Sequence, residues 1–292
     1  MFKKAKQATD AGDYSTALSF YQLAGKIFGE ELVAFNIKRC QQKIVHQKLK
    51  IAPEINVLVT SDAEGVKGIL PTLYSLLNQS LAPKEVILYL PKKSSTDDGV
   101  AMNSVDVEAV KKLPNVRIVW CEKQSQFLIF DSFLSNHFHC DVTEDKLFLC
   151  VSDNQIYPHH FIETLYSNYL VANNVVAANW ISFSDLTFDF PIEGIPSFQY
   201  GVLFSTEFFN PEVCKFDDVD NIESIGPDLW LTWNVLSNGV GIKNLEFFDI
   251  PSEKDNQVKY PVEIVESLER IMMEMYGFSV SSLYRLTKEL CI

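Results

Sequence analysis

The stretch INVLVTSDAEGVKGILPTLYSLLNQSLAPKEVILYL, residues 55–90, decides the fold that the sequence predicts. Residues 55–60 and 85–90 are short apolar runs rich in β-branched side chains, which are typical of buried strands. Between them, residues 65–80 carry apolar side chains at helical spacing. A strand, a helix and a second strand at this spacing form a βαβ unit, which implies a parallel sheet with a right-handed crossover. We therefore expect an α/β fold.

The alternation of strands and helices continues beyond this unit. Short apolar runs predict strands at residues 116–120, 146–151, 174–180 and 200–204. Amphipathic stretches predict helices at residues 158–170, 228–236 and 262–275. The expected architecture is therefore a mostly parallel sheet flanked by helices.

The N-terminal part of the chain has a different pattern. Residues 4–48 predict two helices, the first of them carrying a Gly12-Asp13-Tyr14 turn. Within it, AGDYSTALSFYQLAGKI (11–27) resembles one tetratricopeptide unit, in which small residues such as Ala17 and Ala24 let paired helices approach closely. A single unit cannot bury its own apolar face. We expect it either to cap the main domain or to continue an array that a partner protein supplies.

Two domains follow from these patterns. A helical hairpin is predicted over residues 1–50, and an α/β domain over residues 51–292.

Charge and composition exclude several classes of function. With 47% hydrophobic and 22% charged residues, the chain has ordinary globular composition. Its net charge of −13 repels nucleic-acid phosphates, so we expect no nucleic-acid binding. No apolar stretch approaches the ~20 residues that span a bilayer, and the N-terminus lacks a signal-peptide run. We therefore expect a cytoplasmic protein, either free or peripheral at the inner face of the membrane.

Polar residues follow the predicted strands, where open α/β sheets bind their ligands. The candidates are Thr60-Ser61-Asp62 after the first strand, residues 91–96 after the second, Ser152-Asp153-Asn154 after the fourth, and the region of Gly201. No G-x-G-x-x-G or G-x-x-x-x-G-K-[ST] loop follows any of these strands, which argues against a dinucleotide or P-loop site.

The segment VSDNQIYPHHFIETLYSNYL (151–170) resembles the D-x-D segment of bacterial GT-A glycosyltransferases, which reads roughly D-D-D-I-x-Y-P-x-x-[WF]-[IL]-E-x-L-Y. Residues 55–93 resemble the opening of that family, and residues 200–204 resemble its Gly-Gly-Val-Leu-Tyr strand. GPDLWL (226–231) resembles its Ala-Asp-Asp-Ile-Trp-Leu helix start. The resemblance covers about residues 10–245, and its specificity comes from four segments in the same order.

This resemblance implies a GT-A-like fold that transfers a sugar from a nucleotide-diphosphate donor to a hydroxyl of a glycan acceptor. It implies that Asp153 and Asn154 bind the donor and hold Mg²⁺ or Mn²⁺ against its diphosphate, because these cations take hard oxygen ligands. Thr60 and Ser61 would line the nucleotide pocket. Asp228 would be the catalytic base for the acceptor hydroxyl.

The sequence also departs from the family at the positions that carry chemistry. Three consecutive carboxylates become Ser152, Asp153 and Asn154, so a cation site here would be weak. The acidic doublet becomes Pro227-Asp228, and the aromatic residue and the arginine that follow the first strand are absent. These losses favour a second hypothesis, a catalytically inactive homologue that acts as a binding or assembly subunit. The sequence leaves both hypotheses open.

Each candidate also has a purely structural interpretation. Asp153 and Asn154 could cap the end of the strand and the helix opening at Tyr157-Pro158. Asp228, in the first turn of a helix, could simply favour the helix dipole.

Overall fold

The computed structural model describes residues 1–48, 53–61, 65–91, 105–121, 147–182, 194–209 and 227–245, together with Arg270 and Met273. The chain divides into two compact units, Met1–Pro53 with Tyr166–Asn173, and Glu54–Leu165 with Asn174–Ile292. The domain boundaries at 1–50 and 51–292 stay a prediction. The predicted helix at 262–275 and the candidate residues Asp62 and 92–96 lie outside the described residues, apart from Arg270 and Met273.

Residues 1–48 form three α-helices, α1 (Phe2–Asp10), α2 (Tyr14–Phe28) and α3 (Ala34–Lys48), with a short 3-10 turn at Glu30–Leu32. The prediction of two helices here is therefore wrong. Gly12, at φ +78°, helps to reverse the chain after α1. Asp13 then caps α2, because its carboxylate accepts a hydrogen bond from the backbone N–H of Thr16 at 3.1 Å.

Small side chains allow these helices to pack closely. Ala5, Ala17 and Ala24 are fully buried in the core of this unit, as the sequence predicts for the last two. Gly25 shows how little space remains, since a Cβ atom at this position would lie 3.0 Å from Cγ2 of Val33. Close approach of α2 to the turn that precedes α3 therefore requires small residues.

The strands of the second unit are, in chain order, β1 (Ile55–Thr60), β2 (Glu85–Pro91), β3 (Val116–Cys121), β4 (Leu147–Val151), β5 (Val175–Ala177), β6 (Trp180–Ser182), β7 (Gly194–Pro196), β8 (Val202–Ser205) and β9 (Ile242–Asn244). Seven of these described strands form one sheet in the order β3-β2-β1-β4-β8-β5-β9, and β6 and β7 form a separate pair. The helices described after β1 are α4 (Leu70–Leu77), α5 (Val105–Val110), α6 (Phe161–Ala172) and α7 (Pro227–Ser237), and the part of α6 from Tyr166 onward belongs to the first unit.

The large sheet is mixed but mostly parallel. β1 runs parallel to β2 and β4, β2 runs parallel to β3, and β5 runs parallel to β9. Only β8, among the described strands of this sheet, runs antiparallel to its neighbours β4 and β5. The central strands of the large sheet, β1, β2 and β4, are apolar on both faces, as expected of a sheet covered by helices. The predicted α/β fold is confirmed. Among the described residues, no helix combines the length and apolar character that a membrane span requires.

The first four predicted strands agree with the structure to within one residue. The single strand predicted at 174–180 is wrong, because the chain leaves the large sheet after Ala177 and pairs again, as β6, with β7. The strand predicted at 200–204 starts only at Val202, since a 3-10 turn at Phe198–Tyr200 precedes it. Gly201 connects the turn to the strand with a φ of +108°.

Gly201 is also a point of close packing. A Cβ atom there would lie 2.6 Å from Cζ of Phe161 and 3.0 Å from Cβ of Ala178. Its carbonyl accepts a hydrogen bond from the N–H of Ala178 at 2.7 Å. The positive φ and the lack of space both require glycine at this position.

We predict that Gly201→Ala lowers the free energy of unfolding by about 3 kcal/mol, because it adds a steric clash to backbone strain. Gly239→Ala is the matched control, since Gly239 also has a positive φ, +75°, but open space around a Cβ atom. It should cost only about 1 kcal/mol. Urea denaturation measures both values, and equal losses would contradict the packing argument.

Candidate functional site

The ends of β1 and β4 bring the predicted donor-binding residues to one edge of the sheet. Val59 pairs with Val151 in the parallel register, so the residues that follow the two strands leave the sheet side by side. Thr60 and Ser61 lie at the end of β1, and Asp153 lies just beyond β4. This edge is the carboxyl end of the parallel strands, where sheets of this class bind ligands.

A hydrogen bond to β2 holds the end of β1. The backbone N–H of Ser61 donates to the carbonyl of Tyr89 on β2 at 3.2 Å, which continues the pairing of the strands beyond Thr60. Ser61 is buried, whereas Thr60 is half-buried. The candidate edge is therefore rigid on the β1 side.

Beyond β4 the chain makes a tight polar turn. The hydroxyl of Ser152 donates to Oδ1 of Asn154 at 2.7 Å, and Nε2 of Gln155 donates to the same oxygen at 3.2 Å. The N–H of Ser152 donates to the hydroxyl of Tyr157 at 2.8 Å. Burial raises the pKa of Tyr157 well above its ordinary value, so this phenol stays neutral. The amide oxygen of Asn154 thus already accepts two hydrogen bonds.

Asp153 lies in the middle of this turn and is half-buried. Its backbone carbonyl accepts a hydrogen bond from Oγ1 of Thr72 at 2.7 Å. Its half-buried carboxylate makes no hydrogen bond or ion pair with the part of the chain that the structure describes. The purely structural interpretation of Asp153 as a side-chain cap therefore has no hydrogen bond to support it in the described residues.

Gln79, which follows α4, holds the polar turn in place. This role was not predicted from the sequence. Its buried side chain donates from Nε2 to the carbonyls of Ser75, at 2.9 Å, and Pro158, at 2.8 Å. Its Oε1 accepts from the N–H of Ile162 at 3.1 Å. The Ser75 hydroxyl accepts in turn from the N–H of Tyr157 at 3.0 Å. The only sequence signal was a polar residue closing a predicted amphipathic helix.

An exposed cluster extends this contact. Oε2 of Glu163 accepts a hydrogen bond from the Ser80 hydroxyl at 2.6 Å and lies 3.2 Å from Nδ1 of His160. The Ser80 hydrogen bond, followed by the His160 contacts, lowers the pKa of Glu163. His159 contacts the Asn78 carbonyl through Nδ1 at 2.6 Å. These side chains connect the start of α6 to the end of α4, and both histidines are exposed.

Asp228 lies in the first turn of α7, and its Oδ1 accepts a hydrogen bond from the backbone N–H of Phe198 at 3.0 Å. It therefore orients the 3-10 turn before β8. Burial first, and then the negative charge of Asp228, raise the pKa of the Cys150 thiol on β4. The role of Asp228 as a catalytic base stays a prediction.

The residues of the turn fit a divalent cation only weakly. Asp153 supplies one carboxylate, and the oxygen of Asn154 would have to give up hydrogen bonds to become a ligand. No group of three or more metal-ligating His, Cys, Asp or Glu side chains occurs within the described ranges. Since affinity for hard cations rises with the number of carboxylate ligands, this arrangement suits weak binding.

No protein-family model and no curated protein matches the chain. Among solved structures, it is similar to TarS of S. aureus in complex with UDP-GlcNAc, with a TM-score of 0.48 and 14% identity over 81% of this chain and 71% of that one. It spans only 42% of the length of a longer TarS structure.

Two further similar structures come from other organisms. One is glucosyl-3-phosphoglycerate synthase from Mycobacterium tuberculosis with UDP, at a TM-score of 0.44 and 12% identity over 81% of this chain and 84% of that one. The other is the mannosyltransferase PcManGT from Pyrobaculum calidifontis with GDP-Man and Mn²⁺, at a TM-score of 0.41 and 13% identity over 80% and 66%. These donors and this metal are properties of those proteins.

We predict that Gln79→Leu lowers the free energy of unfolding by about 2–4 kcal/mol, because it leaves the N–H of Ile162 and two carbonyls without their partner. Ser80→Ala is the control, since it removes an exposed hydrogen bond of the same contact and should cost less than about 1 kcal/mol. Urea denaturation measures both variants. A Gln79→Leu protein as stable as Ser80→Ala would show that Gln79 does not hold the turn.

We predict that Asn154→Asp raises the affinity for Mn²⁺ about tenfold or more, because it adds a second carboxylate beside Asp153. Asn238→Asp adds the same charge at an exposed position after α7 and should leave Mn²⁺ binding unchanged. Electron paramagnetic resonance of free Mn²⁺ measures both affinities. Equal affinities in the two variants would mean that the turn does not present Asp153 to a cation.

Proposed function

We propose that the chain is a GT-A-like glycosyltransferase that binds a nucleotide-diphosphate sugar at the edge where β1 and β4 end. It would transfer the sugar to a hydroxyl of a glycan acceptor of the polysaccharide or lipopolysaccharide type. The observation that supports this most is Asp153, which follows β4 where it leaves the sheet beside β1 and whose carboxylate has no hydrogen-bond partner in the described chain. A carboxylate without a partner among the described residues, in a turn that hydrogen bonds hold in place, is suited to binding a ligand.

Neighbouring polar groups support donor binding at the same edge. Thr60 and Ser61 follow the adjacent strand and would hydrogen-bond the nucleoside of the donor. Asp153, with Asn154, would hold Mg²⁺ or Mn²⁺. The bound cation supplies charge neutralisation for the leaving diphosphate.

Asp228 is the proposed base for the acceptor hydroxyl. The hydrogen bond from the Phe198 N–H to Oδ1 fixes the orientation of its carboxylate. In that orientation the carboxylate would take the proton of the acceptor hydroxyl as the new glycosidic bond forms.

A second candidate is a non-catalytic subunit that binds a glycan or a nucleotide sugar, or docks on an active partner through its N-terminal helices. Two observations favour it. Oδ1 of Asp228 is engaged by the backbone, and the amide oxygen of Asn154 is engaged by two side chains. Groups committed to internal hydrogen bonds are less available for reaction. In either case, the proposed location is cytoplasmic, at the inner face of a membrane or free of it.

We predict that UDP-GlcNAc or GDP-mannose binds the protein and that Asp153→Asn weakens this binding about tenfold or more, because a carboxylate bonds ligand hydroxyls and cations more strongly than an amide. Glu207→Gln removes an exposed carboxylate after β8 and should leave the affinity unchanged. Calorimetry with Mn²⁺ and with a chelator measures both. If neither nucleotide sugar binds under either condition, donor binding is excluded for these two donors.

Turnover separates the two candidate functions. For a transferase, Asp228→Asn should reduce the release of nucleotide from the donor about 100-fold or more while donor affinity changes little. Phosphorus NMR of the donor, with a hydroxyl-bearing glycan as acceptor, measures this release. Tight binding without turnover in the unmodified chain would support the non-catalytic subunit.

A further inference from the structure

The three-helix unit carries a cluster of exposed apolar side chains at one end. Phe2 at the start of α1 packs against Phe28 at the end of α2, with ring centroids 5.8 Å apart. Gln47, near the end of α3, donates a hydrogen bond to the carbonyl of Gly12 in the α1–α2 turn. The end of α3 therefore lies near this turn, and the start of α3 lies at the opposite end of the helices, with Phe2 and Phe28. We name this region the apolar end; its exposed side chains are Phe2, Leu23, Ile27, Phe28, Leu32 and Phe35.

The exposure of these side chains is large. Leu32 is 68% and Phe35 is 76% exposed, although both are of types that normally pack in a core. Val33, next to Leu32 in the sequence, and Ala24, next to Leu23, are fully buried, so the unit has a core of its own that does not need the apolar end. Several large apolar side chains exposed together indicate an interaction surface.

The charge around the apolar end identifies what it would contact. Residues 1–48 carry eight Lys and Arg against four Asp and Glu, a net charge of +4, within a chain of net charge −13. Residues 49–292 therefore carry −17. Lys3 and Lys4, in the first turn of α1, and Lys26, in the last turn of α2, are exposed and border the apolar end. Lys38 and Arg39 lie one turn into α3. The acidic residues at the apolar end are Glu30 and Glu31.

We propose that the apolar end docks on an anionic lipid surface. Phenylalanine, leucine and isoleucine side chains at the tips of short helices would enter the headgroup region, while the bordering lysines contact anionic headgroups. The acidic remainder of the chain would be repelled by the same surface. The inference concerns a surface separate from the Asp153 edge and does not depend on glycosyl transfer. It specifies the surface through which the protein would be peripheral to a membrane.

The test is cosedimentation of the full chain with vesicles of phosphatidylglycerol and phosphatidylcholine, and with vesicles of phosphatidylcholine alone. We expect binding to the anionic vesicles that weakens at high salt, since salt screens the lysines. The double variant Leu32→Ser and Phe35→Ser should bind about tenfold or more weakly. Lys26→Glu with Lys38→Glu should also bind weakly.

Tyr74→Ser is the matched control, because Tyr74 is a large side chain, 57% exposed, on α4 in the other unit. It should bind vesicles like the unmodified chain, and circular dichroism should show all variants folded. Absence of binding to anionic vesicles would overturn the proposal, as would equal binding to both kinds of vesicle. Self-association that the Leu32→Ser and Phe35→Ser variant abolishes, without vesicle binding, would show that a second copy occupies this surface.

Discussion

The parallel pairing of β1 with β4 is the constraint on which the rest of the candidate site depends. Two strands whose paired residues lie about ninety positions apart end at the same level, so that short polar segments meet at one edge. Both strands are mostly buried, and residues Ile55 to Val59 of β1 pair in parallel register with residues Leu147 to Val151 of β4. A shift of this register would separate Ser61 from Asp153 and remove the candidate site.

A second contact makes this edge rigid. The end of α4 and the segment after β4 are joined by side chain–backbone hydrogen bonds, with Gln79 at the centre. Such bonds satisfy buried backbone groups that lie outside helices and strands, and they are costly to break. The polar turn therefore has a defined conformation before any ligand arrives. Preorganisation of this kind is what binding sites require, whichever of the two functions the protein performs.

The sequence correctly predicted the strands whose formation depends on a local run of apolar side chains. The strands β1 to β4 were visible because apolar, β-branched runs of this length have few alternatives. The division of 174–180 into two strands was not visible, because both halves are apolar and only their pairing partners differ. The third N-terminal helix was missed because the break at Gly12 was assigned to a turn within one helix.

The hydrogen-bond partners of individual side chains could not be predicted from the local sequence pattern. The bond between Asp228 and Phe198 joins residues thirty positions apart, and those of Gln79 reach across about eighty. Spacing along the chain identified Asp153 and Asp228 as candidates through their positions after a strand and at a helix start. It could not show that Oδ1 of Asp228 is bonded to a backbone N–H, because that depends on the assembled structure.

The buried phenol of Tyr157 has a consequence for how this edge behaves in different environments. Because it remains un-ionised, it can serve as both donor and acceptor for Ser152 in acidic, neutral and mildly alkaline surroundings alike. The hydrogen bonds through which Tyr157 shapes the turn therefore do not depend on pH in this range.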